Sequence, residues 1–170
     1  MVKPAPYVMM YSPETPNQRP TMINRTMFVD SIEPRTATTI QEHLSGSGGT
    51  VRVVQLRVLG GAMSRVTADA TAFAHRSRPI LINVSAFYNG DSDREVQDAW
   101  VNEFAKTIQP SDDGAYVGFL GDDGRARIRS AYPGRTMERL VGIKAKYDPT
   151  NLFRLNQNIV PTAAPGFTGA

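Results

Sequence analysis

Three uncharged polar side chains lie close together near the end of the chain. Asn156, Gln157 and Asn158 are surrounded by apolar residues in the segment NLFRLNQNI, which follows an Asp148-Pro149 turn. Amides both donate and accept hydrogen bonds without carrying charge, and buried polar groups need partners. The residues alone leave two interpretations open: the amides bind another surface, or they satisfy the backbone of the tail itself.

A second set of polar candidates lies on the segment with the strongest strand pattern, PILINVSAFY (residues 79–88). Alternation places Ile80, Ile82, Val84 and Ala86 on one face and Leu81, Asn83, Ser85 and Phe87 on the other. One face is therefore apolar, and the other carries Asn83 and Ser85. This polar stripe is expected to face either water or a ligand.

Several kinds of chemistry are excluded by residue type. The chain has no cysteine, which rules out disulfides, thiolate nucleophiles and cysteine-bound metal clusters. His43 and His75 have no metal-ligand spacing, and the sequence contains no serine-nucleophile, Walker-type phosphate-loop or H-E-x-x-H motif. We therefore expect no metal site.

The composition is that of an ordinary globular chain. Apolar residues make up 41% and charged residues 21% of the 170 residues, which favours one folded domain. We place this domain at residues 21–161, with residues 1–20 as an extended linker rich in proline and residues 162–170 as a flexible tail. The first twenty residues do not resemble a signal peptide, and no apolar run could span a membrane. The expected location is cytoplasmic, without a membrane partner.

The formal charge of +3 is too small to indicate nucleic-acid binding unless the basic residues cluster. The densest group is Arg125, Arg127 and Arg129, beside two aspartates. We interpret this group as a solvated surface and expect no nucleic-acid partner.

The order of predicted elements indicates the fold class. Strands are predicted at residues 26–32, 51–59, 79–88 and 115–120, and helices at residues 34–44, 93–108 and 136–147. In the second helix, which Asp93 should cap, the apolar residues Val96, Trp100, Phe104 and Ile108 recur every fourth position. Helices and strands do not alternate regularly, so we predict an α+β fold with an antiparallel or mixed sheet and helices packed on one face.

The last third of the chain resembles a known family. GAYVGFLGDDGRARIRSAYPGRTMERLVGIKAKYDPTNLFRLNQNIVP (residues 114–161) is similar to the C-terminal signature of the berberine bridge enzyme-like FAD-linked oxidases. That signature has a Y-V-N strand, an A-Y-G helix, then R-L-x-x-(I/L)-K-x-x-Y-D-P and N-L-F-R-x-N-Q-N-I. Residues 59–88, with the A-F-x-H-R segment, resemble the substrate domain of the same enzymes.

The resemblance implies that the complete enzyme has two domains, one for FAD and one for the substrate. In the family, FAD is held by an N-terminal domain with a histidine, and often a cysteine, that can bind it covalently; this chain has no G-G-H segment and no cysteine. The chain is therefore expected to be the substrate-side portion of an FAD-dependent oxidase. The sheet face opposite the helices would then face the missing flavin domain, which is the expected partner.

Site residues follow by the same resemblance. Asn156, Gln157 and Asn158 would bind FAD or the backbone of the flavin domain. Tyr116 matches a strand tyrosine that acts as general base or orients the substrate, although a core tyrosine is an equal alternative. Gly118 replaces the usual asparagine, which puts a polar contact in doubt. Asn83 and Ser85 could orient the substrate, while His75 and Arg76 are interpreted as a structural pair.

Two functions are consistent with these features. The first is the substrate-side part of an FAD-dependent oxidoreductase that moves a hydride from a small-molecule substrate to flavin and then to O₂. It would be inactive alone and would not retain FAD. The second is a non-enzymatic module that binds small molecules or forms a homodimer through the uncovered sheet face.

Overall fold

Three strands form one antiparallel sheet in the computed structural model, which describes residues 6, 21–46, 51–109, 114–121 and 124–162. The strands are β1 (Thr21–Val29), β2 (Arg52–Val58) and β3 (Ile80–Tyr88). Their spatial order is β1-β3-β2, so the most apolar strand is central and is paired on both sides. The helices are α1 (Pro34–Ser45), α2 (Asp91–Ile108), α3 (Gly124–Ala131) and α4 (Arg135–Tyr147). The predicted α+β class and antiparallel sheet are confirmed.

The core lies between the sheet and α2. Met27 on β1 and Ile82, Val84 and Ala86 on β3 are buried against three buried residues of the helix, Val101, Phe104 and Ala105. His43 of α1 stacks on Phe104 with ring centroids 4.3 Å apart, which ties α1 to this layer. Alternation along β3 therefore buries its apolar face as predicted.

The opposite face of the sheet is partly covered by chain that follows α2. Phe28 and Leu81 are buried there, and Phe28 stacks on His75 with ring centroids 4.3 Å apart. Gly114 lies against this pair with φ +85°, and a Cβ atom there would come within 2.9 Å of Phe28. The position therefore needs glycine for both its backbone angle and its lack of a side chain.

The apolar stripe predicted on α2 is displaced. Val96 is 59% exposed, whereas the buried residues are Gln97, Val101, Phe104 and Ala105. Steps of four residues advance about 40° beyond a full turn, because the helix has 3.6 residues per turn. A strict every-fourth pattern therefore rotates off the buried face. The helix also begins at Asp91, with Gly90 rather than Asp93 as its cap residue, although Asp93 still accepts the Asn89 backbone N–H over 2.9 Å.

Two predicted features after α2 are wrong. Residues 115–120 do not form a strand; Val117–Phe119 is a 3₁₀ turn, closed by the Phe119 N–H to the Tyr116 carbonyl over 2.9 Å. Helix α3, which was not predicted, follows, and it buries Arg127 instead of leaving it in solvent.

Other boundaries differ by fewer residues. Strand β1 begins at Thr21 rather than Thr26. The predicted linker over residues 1–20 and tail over residues 162–170 fall almost wholly outside the described residues. Within the described ranges, no helix has the length and apolar content needed to cross a membrane.

Candidate functional site

Tyr116 lies on the segment that crosses the second sheet face. Its backbone N–H donates to the Thr26 hydroxyl over 3.0 Å, and the N–H of Ala115 donates to the Ser130 carbonyl over 3.3 Å. These bonds fix the segment between β1 and α3. The Tyr116 side chain is 36% exposed and contacts Phe73 and Phe119 edge-on, with ring centroids 6.2 and 5.4 Å apart. The phenol is therefore held by its ring yet open to solvent.

Gly118 determines where the Tyr116 ring can lie. A Cβ atom at position 118 would come within 2.9 Å of Cε1 and 3.3 Å of Cζ of that ring. The ring therefore occupies space that any side chain at position 118 would fill. The glycine that replaces the family's usual asparagine thus changes the surroundings of the tyrosine as well as removing an amide.

Asn83 and Ser85 lie on the sheet face beneath this segment. Thr26, the hydroxyl acceptor for Tyr116, is the register partner of Asn83. The amide nitrogen of Asn83 donates to the Ser85 hydroxyl over 3.1 Å, and both side chains are buried. Oδ1 of Asn83 and Oδ1 of Asn24 are buried and have no hydrogen-bond partner among the described residues. Two buried acceptors on one sheet face therefore have no donor among the described residues, and buried acceptors normally need one.

The terminal amides return to the same segment. The amide nitrogen of Gln157 donates to the carbonyls of Leu120 and Gly121 over 2.8 and 3.3 Å. Asn156 is exposed and has φ +58°, a backbone region that asparagine tolerates better than most residues. Oδ1 of Asn158 is buried, and the described residues offer it no partner. Gln157 therefore holds the tail against the segment that carries Tyr116.

A charged pair positions the chain between α4 and the amides. Lys144 donates to the Asp148 carboxylate and, over 2.6 Å, to the Phe153 carbonyl. The same carboxylate accepts the backbone N–H groups of Leu152 and Phe153 over 2.7 and 3.1 Å. The hydrogen bond from Lys144, with these two N–H groups, lowers the pKa of Asp148. This arrangement explains the K-x-x-Y-D-P spacing of the sequence.

Two residues of the site were missed in the sequence. Thr26 joins Tyr116 to the sheet, and the buried guanidinium of Arg127 donates to the Thr26 carbonyl over 3.1 Å. Thr26 sits in an ordinary strand pattern, so only strand pairing shows its role. Arg127 was interpreted as solvated because its neighbours are charged.

His75 and Arg76 make contacts within the chain, and His75 stacks on Phe28 of β1. Arg76 donates to the Met63 carbonyl over 3.1 Å and to the Thr71 hydroxyl over 2.8 Å. Burial lowers the pKa of His75, with a smaller opposing effect of nearby backbone carbonyls. The described residues contain no group of three or more side chains suited to hold a metal ion.

Comparison with known proteins identifies the relationship. Residues 99–160 match the family model described as berberine and berberine like. The predicted resemblance to berberine bridge enzyme-like FAD-linked oxidases is confirmed.

The similar proteins are FAD-linked enzymes much longer than this chain. Uncharacterized FAD-linked oxidoreductase YgaK of Bacillus subtilis (strain 168) is 28% identical over 165 residues, which are 95% of this chain and 36% of the relative. Carbohydrate oxidase of Microdochium nivale is 33% identical over 116 residues, covering 63% of this chain and 23% of the relative. The chain therefore spans well under half the length of these relatives.

Solved structures share the fold. Chitooligosaccharide oxidase superposes with a TM-score of 0.70 at 22% identity, covering 85% of this chain and 33% of that one. Berberine bridge enzyme from Eschscholzia californica gives a TM-score of 0.67 at 21% identity, covering 88% of this chain and 35% of that one. At these identities the likeness concerns the fold alone.

The residues present are compatible with a contact to FAD. The edge of a flavin ring carries both N–H and carbonyl groups, which amide side chains can pair with. The partnerless buried Oδ1 atom of Asn158 and the exposed amide of Asn156 offer such groups next to the Tyr116 segment. Gln157, by contrast, already uses its amide nitrogen within the chain.

Proposed function

We propose that this chain is the substrate-side part of an FAD-dependent oxidoreductase and is inactive without a flavin domain. One observation supports the proposal most: the backbone N–H of Tyr116 donates to the hydroxyl of Thr26, the register partner of Asn83, so the segment that bears a partly exposed phenol crosses the sheet face of Asn83 and Ser85. The family match of residues 99–160 gives this arrangement its chemical context.

In this proposal, each site residue of the chain has its own role toward the substrate. Tyr116 takes up a proton from the substrate or orients its reacting group, since a phenol can both donate and accept. Asn83 and Ser85 supply acceptors and a hydroxyl for substrate polar groups. Bound FAD would supply the hydride acceptor, with O₂ as the terminal oxidant.

The terminal amides would form the cofactor side of the same site. Asn156 and Asn158 bind FAD or the backbone of the flavin domain, and Gln157 keeps the tail in place against Leu120. The exposed apolar residues after α4 provide contact area for the flavin domain: Phe153 is 77% and Leu155 is 84% exposed. Exposed apolar clusters of this kind mark interaction surfaces.

The test is to co-express this chain with the part of YgaK that lies outside the matched region. We expect the chain alone to show no flavin absorbance, and the co-purified pair to retain FAD and consume O₂ with an oligosaccharide or alcohol from a substrate panel. Tyr116→Phe should lower kcat about 100-fold or more, the usual contribution of a positioned acid or base, and leave FAD content unchanged.

Two results would count against the proposal. Retained FAD and oxidase activity in the chain alone would show that no partner is needed. Full activity of the Tyr116→Phe pair would remove the tyrosine from the chemistry and leave only a structural role for its ring.

The alternative is a self-associating module without enzymatic activity. The side chains of Leu81, Asn83 and Ser85 on the second face of the central strand are buried, which disfavours a dimer through an open sheet. The exposed apolar residues after α4 favour association through the tail instead. A mass that rises with concentration, with no response to the flavin chain, would support this function.

A further inference from the structure

A cleft of about 440 Å³ lies beside the segment that carries Tyr116. Its walls come from His75, Arg78, Gly114 and the junction between α3 and α4. Among the described residues, the lining includes two guanidinium groups, those of Arg78 and Arg129, and no acidic side chain. A concave surface lined by one sign of charge concentrates counter-ions of the opposite sign.

The two arginines are available at this cleft. Arg78 forms an ion pair with Asp30 over 3.0 Å, but the Asp30 side chain is 74% exposed, and exposed pairs contribute little and exchange readily. Arg129 is exposed, and no ion pair of its side chain is found in the described part of the chain. Neither cation is therefore held by a buried acid.

A buried imidazole forms part of the wall. His75 is only 9% exposed, and its Nε2 atom has no hydrogen-bond partner within the described ranges. The ring is fixed by stacking on Phe28 and by an edge-on contact with Phe73. A buried ring nitrogen without a partner is costly unless a ligand or water satisfies it.

The positive end of a helix meets the same cleft. Helix α4 spans 13 residues and begins after Gly134, which lines the cleft, has φ +52° and provides no side-chain cap. The N-terminus of such a helix favours a negative charge. Two arginines, an imidazole with one unpartnered ring nitrogen in the described structure, and a helix start without a side-chain cap thus line one cavity.

We propose that this cleft binds an oxyanion, a phosphate or carboxylate group carried by a small ligand. The arginines supply charge-assisted hydrogen bonds, which guanidinium groups make to both oxyanions in a two-pronged geometry. His75 adds one ring nitrogen from the buried wall. The site is separate from the roles assigned to Tyr116 and does not rest on them.

The experiment uses the full chain with inorganic phosphate and with acetate, each titrated at constant ionic strength and pH. Binding is followed by calorimetry and by the NMR signals of the His75 ring. Arg129→Gln and Arg78→Gln should each weaken binding about tenfold or more, the effect of losing one charge-assisted bond. Arg35→Gln, an exposed arginine on α1, is the matched control and should leave binding unchanged.

The outcomes separate the ligand classes. Binding of phosphate alone, of acetate alone or of both supports the site and identifies the group that it takes. The proposal is overturned if neither anion binds, or if all three variants bind as the unmodified chain does. An anion-dependent change in the His75 signals with the same midpoint in both cleft variants as in the unmodified chain would equally overturn it.

Discussion

At Gly118, a missing side chain determines the position of a neighbouring aromatic ring. A Cβ atom on residue 118 would lie only 2.9 Å from the Cε1 atom of the Tyr116 ring. That distance is shorter than a van der Waals contact, so a side chain and the present ring position exclude each other. The ring is partly exposed and can move away. Position 118 therefore controls the orientation of the phenol more than the stability of the fold.

This leads to a prediction for Gly118→Ala. The methyl group should displace the Tyr116 ring from Phe119 and cost about 1 kcal/mol, the low end of the range for overpacking, because the ring can relax into solvent. The loss of nuclear Overhauser contacts between the two rings and denaturant unfolding would measure both effects. Gly142→Ala is the control, since a Cβ there meets nothing within 4 Å; it should be neutral or stabilise α4 by up to about 1 kcal/mol. Unchanged ring contacts in Gly118→Ala would refute the steric argument.

Sequence patterns predict some of these residues and not others. Asn83 and Ser85 could be placed on one face because alternation in a strand is a local property. The roles of Thr26 and Arg127 depend on which strand pairs with which, and on a helix whose sequence, GRARIRSA, is mostly polar. Burial of Arg127 is a tertiary effect that no local pattern contains.

At the scale of elements, local sequence patterns again predict some helices and strands and miss others. The central strand, α1 and α4 were located within one or two residues, because apolar periodicity and end signals agree there. The buried face of α2 was misplaced, since Val96 continues the apolar pattern in sequence but points away from the sheet. The strand predicted at residues 115–120 became a 3₁₀ turn, because Tyr116 bonds to a side chain of β1 instead of a strand backbone.

The turn after α4 gives a prediction about pH. The pKa of Asp148 is lowered by Lys144 and by two backbone N–H groups. A depressed carboxyl pKa stabilises the fold above the unfolded value of about 3.9, and this stabilisation is lost as pH falls through the folded pKa. Urea unfolding measured between neutral and acidic pH should therefore show a smaller acid-induced loss of stability in Asp148→Asn than in the unmodified chain.

Lys144→Met provides the second arm of this experiment. Removing the first partner of the carboxylate should raise the pKa of Asp148 toward its unfolded value, so the acid-induced loss should be smaller and should end at a higher pH than in the unmodified chain. Identical acid profiles for all three proteins would show that this turn contributes nothing to the pH dependence of folding.

At the scale of the whole molecule, the exposed apolar side chains are concentrated at the end of the fold. Ile143, Tyr147, Leu152, Phe153 and Leu155 are all exposed on α4 and the segment that follows it. The Lys144–Asp148 pair anchors the backbone of this segment at Leu152 and Phe153, and the side chains of both residues remain exposed. The chain spans only 36% of YgaK. Under the proposed function, this surface would contact the remainder of such an enzyme.

The last prediction follows from that surface. Phe153→Ser combined with Leu155→Ser should weaken co-purification with the flavin-bearing part of YgaK about tenfold or more, since buried aromatic and aliphatic anchors contribute most of the energy of an interface. Val58→Ser is the matched control, because Val58 is equally exposed but lies on the edge strand β2. Sedimentation of each chain alone and with the flavin chain separates the two functions. If the tail binds the flavin chain, only the double variant loses the complex. In the absence of the flavin chain, the unmodified protein and both variants should sediment alike. Loss of a homodimer in the double variant, with no flavin complex in any sample, would instead assign the surface to self-association.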